Sequence, residues 1–152
     1  MLTSVLSLFL LLAPTVDTFK KEMAPLQSAV DSAVGSTGVQ VLQKSHAIYI
    51  EGYGVIVSLE AMFEPPQNLF STPKPASEVR ALVAQRRKDL QEKLTLFLKQ
   101  RIVTTDSIGP TDSLTIVVHV LNTNPADVPN MPMQIQLTVK KDSPQQVTPR
   151  EF

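Results

Sequence analysis

HAIYIEGYGVIVSLEAMF (residues 46–63) changes the phase of its apolar positions at the two glycines in its middle. Apolar side chains fall on even numbers before Gly52 and mainly on odd numbers after Gly54. Because side chains alternate across a strand, this change needs a turn or an inserted residue. A two-residue type II′ turn at Gly52-Tyr53 places the flanking apolar residues on one buried face: Ile48, Ile50, Val55 and Val57. One long strand with a glycine bulge is the alternative.

The segment before this hairpin has helical periodicity. Its apolar residues recur every three or four positions, at Phe19, Met23, Leu26, Val30 and Val34. Pro25 fits the first turn of a helix, where its missing N–H costs nothing, and Gly35 fits the end.

A second helix follows a proline-punctuated connector over residues 64–75. Ser77 is the expected N-cap, and the helix runs to about Val103. One face of this helix carries the apolar side chains: Val79, Leu82, Val83, Leu90, Leu94 and Phe97.

Two strands complete the predicted domain. Residues 114–121 are apolar on both faces, which indicates a central strand, and residues 133–139 alternate, which indicates one wet face. Residues 143–152 are predicted to be a disordered tail. The sequence therefore predicts a single α+β domain over 17–142. Its antiparallel sheet consists of two strand pairs (strand–strand–helix–strand–strand), with an N-terminal helix and one long amphipathic helix packed on one face.

Residues 1–16 form an uncharged, mostly apolar segment. At about 1.5 Å per helical residue it falls short of the roughly 30 Å hydrocarbon core of a membrane. Its length and position indicate a secretory signal peptide. An apolar helix packed inside the domain and an uncleaved anchor are the alternatives.

The charge balance and the absence of cysteine exclude several classes of function. Lys and Arg together number 14, as do Asp and Glu, so nothing predicts a nucleic-acid partner. With 0 cysteines, the chain forms no disulfide, thiolate metal site or cysteine nucleophile.

No catalytic, phosphate-loop or metal motif is present in the sequence. The two histidines, His46 and His119, have no metal-ligand spacing, and a zinc site would need both plus a carboxylate such as Glu51. Glu60 and Glu64 fit a solvated strand face. We therefore predict a protein that is not an enzyme, with no catalytic residues, metal or cofactor. Convergence of His46, Glu51 and His119 in one cleft would favour an enzyme instead.

The long helix carries a local excess of positive charge. Between residues 77 and 102, seven Lys and Arg residues outnumber three acidic ones. The candidate anion-binding residues are Arg80, Arg86, Arg87 and Lys93. Such a stripe can bind phosphate groups, acidic glycans or anionic lipid, although most charge runs are solvated helix backs.

The segment YIEGYGVIVSLE (residues 49–60) resembles the signature of a group of small exported bacterial proteins. In that group an E-G-Y-G hairpin precedes a basic helix and two further strands, and an aromatic residue often stands in place of Val57. The resemblance covers about residues 46–141. It implies export and a bacterial source, and it implies no activity.

Three functional hypotheses follow from these observations. The first is a non-catalytic periplasmic or secreted domain that has a structural role or binds another protein of the cell envelope. The second is a binder of anionic polymer or of a membrane surface through the basic helix 77–103. The third is a hydrolase or metal-dependent enzyme. An uncleaved N-terminal segment would be the only other contact with a membrane.

Overall fold

The structure, a computed structural model, describes residues 16–64 and 72–152. Its elements are, in order, α1 (Val16–Gly35), β1 (Gln40–Ile50), β2 (Gly54–Met62), α2 (Ala76–Thr104), β3 (Ser113–Leu121), β4 (Gln134–Lys140) and β5 (Ser143–Glu151). These elements confirm the predicted α+β class. The predicted signal segment, except for Val16, and residues 65–71 of the predicted connector lie outside the described residues.

The sheet is mixed, rather than two antiparallel strand pairs. Its 5 strands are arranged in the order β1-β2-β3-β4-β5, and β2 and β3 are parallel. The reason is α2, whose 29 residues extend about 43 Å and return the chain to the end of the sheet where β2 began. A strand that starts at that end runs in the same direction as β2.

The prediction of a disordered tail is wrong, because residues 143–151 form the fifth strand. Ser143–Glu151 pairs antiparallel with β4, and Val147 opposes Val139 and packs against the core. Two prolines and few aliphatic residues hide this strand in the sequence. Its hydrogen bonds to β4 order it, more than any apolar pattern does.

β1 and β2 form a hairpin, but the predicted turn and register are wrong. The loop is residues 51–53, three residues rather than two, so Ile50 pairs with Gly54. Ile48 and Ile50 consequently lie on the opposite face of the sheet from Val55, where they are 54% and 43% exposed. Positive φ values of 76° and 118° at the two glycines accommodate the extra loop residue.

α1 covers β1 and begins earlier than its proline suggests. Pro25 lies in the interior of the helix rather than in its first turn. Its side chain is on the exposed side, and upstream contacts of Phe19 and Met23 with the core extend the helix beyond it.

α2 packs on the same face, over β3, β4 and β5. It starts with Pro75 at the N-cap position instead of the predicted Ser77, and no side chain in the described part of the chain caps its first turn. Pro75 has an extended backbone with φ of −56° and ψ of 144°, as an N-cap residue does, and the N–H that proline lacks takes no part in the helix. The buried stripe of α2 consists of Val83, Leu90, Leu94, Leu98 and Ile102.

Glu22 of α1 fixes the loop between α2 and β3. Its carboxylate accepts the backbone N–H groups of Asp106 at 3.1 Å and Ser107 at 2.7 Å. Burial raises the pKa of Glu22, but the hydrogen bonds from Ser107 and Asp106 and the charge of Lys141 outweigh burial, so the pKa lies below its ordinary value.

We expect Glu22→Gln to lower the free energy of unfolding most at neutral pH. A depressed pKa in the folded state adds stability above the unfolded pKa, about 4.3 for Glu, and this stability is lost as the pH falls through the folded pKa. Urea unfolding of both proteins between pH 7 and pH 3 measures the difference, which should shrink with acidification. A difference that stays constant over this range would contradict the assignment.

Candidate functional site

The face of the sheet opposite the helices is uncovered among the described residues. Its side chains form rows across the strands, one of which consists of Ile48, Ile56, Thr115, Thr138 and Thr148. Three isoleucines at the hairpin end of β1 and β2 form what we call the apolar half of this face: Ile48, Ile50 and Ile56, with His46, Ser58 and Glu60 farther along the same strands. The polar side chains of β3 to β5 form what we call the polar half: Thr115, Gln136, Thr138, Lys140, Thr148 and Arg150, with Val117 between Ser58 and Gln136.

A chain of hydroxyl groups crosses the polar half. The Tyr53 hydroxyl lies 2.7 Å from Thr115 Oγ1, which lies 2.9 Å from Thr138 Oγ1. Gln136 Nε2 donates to Thr138 Oγ1 at 3.3 Å. The hydroxyls of Tyr53, Thr115 and Thr138 carry three protons, and the two hydrogen bonds between them use two. One proton therefore remains for another acceptor. Since Thr115 is only 1% exposed, Tyr53 and Thr138 are the groups that can offer it.

Two cations lie on the polar half without an ionic partner among the described residues. Lys140 opposes Ser113 of β3, and Arg150 opposes Gln136 of β4. Neither forms a salt bridge or a hydrogen bond through its side chain within 16–64 and 72–152. Both are exposed and therefore available to a negatively charged ligand.

These groups line one open groove of about 490 Å³. Tyr53 and Ser113 lie on one side of it and Arg150 on the other, with Gln136 and Thr138 between them. The lining is mostly hydroxyl and amide groups, so the groove can exchange hydrogen bonds with a polar ligand. Its only carboxylate among the described residues is Asp142, at the β4–β5 turn.

The apolar half continues onto the outer edge of β1. Two side chains of α1 form hydrogen bonds with the backbone of this edge: Ser45 N donates to Asp31 at 2.9 Å, and Ser45 O accepts from Gln27 at 3.0 Å. Peptide groups in an antiparallel strand point alternately toward and away from the neighbouring strand. In the regular part of the hairpin, Ile50 O accepts from Tyr53 N across the loop, so by this alternation the peptide groups of Tyr49 and Ala47 point away from β2. No hydrogen bond to these peptide groups occurs in the described part of the chain. We call these groups the free edge of β1.

The three residues of the hypothetical catalytic or zinc site do not come together. His46 opposes Ser58 and His119 opposes Glu60, so β2 separates the two histidines by about 10 Å or more. Glu51 lies in the hairpin loop, at the other end of β2 from the partner of His119. No group of three metal-ligating side chains occurs within the described residues.

The four candidate anion-binding residues point to two sides of α2. Arg87 pairs with Glu151 of β5, and Arg80 donates to Asp127 O at 3.4 Å. Arg86 instead donates to Phe63 O at 2.7 Å, and Lys93 lines a groove against the end of α1. Of the four, Lys93 is the cation without an internal partner among the described residues.

Glu64 is buried rather than on the predicted solvated face. It is 5% exposed, and neither carboxylate oxygen has a hydrogen-bond partner within residues 16–64 and 72–152. β2 ends at Met62, so the alternation of a strand no longer determines the direction of this side chain.

Sequence reasoning missed the groove because β5 and the hairpin loop supply much of it. The alternation of residues 133–139 did predict the wet face that carries Gln136 and Thr138. Arg150 lay in the segment predicted to be disordered, and no pattern linked Tyr53 to Thr115.

No family model, curated protein or solved structure matches this sequence. The resemblance to small exported bacterial proteins stays a prediction. None of the described helices has the length and apolar character needed to span a membrane.

Proposed function

We propose that this chain is a non-catalytic, exported domain of the bacterial cell envelope that binds another protein through the apolar half and the free edge of β1. The observation that carries this proposal is the exposure of Ile48 and Ile50, side by side on one edge strand, at 54% and 43%. Exposed apolar side chains that adjoin one another favour an interaction surface, whereas single ones are ordinary on soluble proteins.

The two edges of the sheet support this choice of surface. β5 carries Pro144 and Pro149, which have no N–H group to offer an added strand. β1 has no proline, and its free edge lies beside the apolar half. A partner strand could therefore pair with Ala47 and Tyr49 while its side chains cover Ile48 and Ile50.

Photocrosslinking in the native host tests the proposal. We expect Ile48→p-benzoylphenylalanine to give one discrete protein adduct in the periplasmic or secreted fraction. Adding Ile50→Lys should remove this adduct, because it places a charge in the covered surface. Leu96→p-benzoylphenylalanine is the matched control, since Leu96 is 61% exposed on α2. Equal adducts from both positions, or none from position 48, would count against the proposal.

A further inference from the structure

We propose that the polar half of the uncovered face binds an acidic oligosaccharide in the groove between Tyr53 and Arg150. The site is separate from the apolar half, which the proposed function uses. The two proposals can therefore fail independently of each other.

The floor of the groove matches a ligand rich in hydroxyl groups. Thr148 presents an exposed hydroxyl that can both donate and accept, and Gln146 presents an exposed amide. Thr138 and Gln136, which are hydrogen-bonded to each other, and the buried Ser113 line the groove beside them. The hydroxyl chain from Tyr53 retains one free proton for a ligand oxygen. Tyr53 also adds an aromatic ring with a polar end, which suits the mixed apolar and polar surface of a sugar ring.

The positions of the two cations require negative charges that are far apart. Arg150 opposes Gln136, and Lys140 lies four residues farther along β4, so about 13 Å separates the two positions along the strand. Between them the lining is uncharged. A chain with carboxylates separated by neutral, hydroxylated sugars matches this pattern.

A densely charged polymer matches the groove less well. Polyphosphate carries a negative charge on every unit, and the uncharged lining between Lys140 and Arg150 would leave its central charges unpaired. Asp142 would also repel it, whereas the Asp142 carboxylate can accept hydrogen bonds from sugar hydroxyls. The groove therefore favours an acidic oligosaccharide of low charge density.

Isothermal titration calorimetry of the full chain with three probes tests this inference. Hyaluronan hexasaccharide has one carboxylate per disaccharide, fully N-acetylated chitohexaose is a neutral oligosaccharide of the same length, and linear polyphosphate is the dense polyanion. We expect the hyaluronan probe to bind most tightly of the three. Arg150→Gln should weaken its binding about fivefold or more, as loss of an exposed charge contact does.

Lys93→Gln is the matched control, because Lys93 is a cation on α2 with no ionic partner among the described residues and lines a different groove. It should change the affinity for the hyaluronan probe less than about twofold. The inference is overturned if no probe binds, if chitohexaose or polyphosphate binds as tightly as hyaluronan, or if Arg150→Gln has no effect. An equal loss from Lys93→Gln would also overturn it and would favour the basic helix instead.

Discussion

Replacing Gly54 by alanine should lower the free energy of unfolding by about 3 kcal/mol or more, the largest effect we expect of any single methyl group in this chain. Gly54 has φ of 118°, a conformation that other residues rarely adopt. An added Cβ would overlap the carbonyl oxygen of Ser113 and lie 2.7 Å from its nitrogen. An alanine at position 54 would therefore combine backbone strain with steric overlap, at the place where β2 starts beside β3.

Two other glycines provide controls for this effect. Gly52 has φ of 76°, but no atom of the described residues lies within 4 Å of an added Cβ, so Gly52→Ala should cost only about 1 kcal/mol of backbone strain. Gly35 has neither constraint, and Gly35→Ala should change stability by less than about 0.5 kcal/mol. Urea unfolding of the three variants measures this order. A Gly54→Ala protein as stable as Gly35→Ala would contradict the described contact between the hairpin and β3.

The close approach at Gly54 also explains the geometry of the groove. Ser113 N donates to Tyr53 O at 2.7 Å, which ties the hairpin loop to the start of β3. Tyr53 is thereby held where its hydroxyl reaches Thr115. The conformational freedom of one glycine thus positions the aromatic side of the proposed oligosaccharide site.

Apolar periodicity predicted most elements that bury a continuous stripe. The helix that became α2 was predicted to end near Val103 and ends at Thr104, and the central strand was predicted at 114–121 and occupies Ser113–Leu121. In both elements the buried side chains recur with the period of the element, so local pattern and tertiary packing agree.

The hairpin register and β5 could not be predicted in this way. Ile48 and Ile50 are apolar but exposed. The prediction placed them on the buried face with Val55, which required a loop of residues 52–53 instead of the observed 51–53. A shift of this size moves every side chain of a strand to the other face. β5 has few apolar residues, and its pairing with β4 depends on backbone hydrogen bonds that no side-chain pattern reports.

The candidate site was hidden for the same physical reason. Its groups come from the hairpin loop, β3, β4 and β5, which are adjacent only because α2 returns the chain parallel to β2. The charges of the basic helix lie within one continuous segment, so a sequence pattern reports them. Three of its four candidate side chains form a hydrogen bond or an ion pair with another part of the chain: Arg80, Arg86 and Arg87. The side chains of Lys140 and Arg150 form neither among the described residues.

Thiol labelling in the folded protein tests whether the face that carries Ile48 is uncovered. Because the chain has 0 cysteines, each single variant contains one reactive thiol. Ile48 is 54% exposed on β1 and Ile116 is 0% exposed on β3, which makes Ile48→Cys and Ile116→Cys a matched pair. A buried thiol reacts only through rare opening of the structure, whereas an exposed one needs no opening.

We predict that Ile48→Cys reacts with an aqueous thiol reagent within about tenfold of its rate in urea, whereas Ile116→Cys is slowed about a thousandfold or more. This result would place Ile48 on an accessible face, as the proposed binding of another protein requires. Protection of Ile48→Cys as strong as that of Ile116→Cys would contradict the account. Ile48 would then lie on the buried face, and the sheet would have no uncovered surface there for a partner.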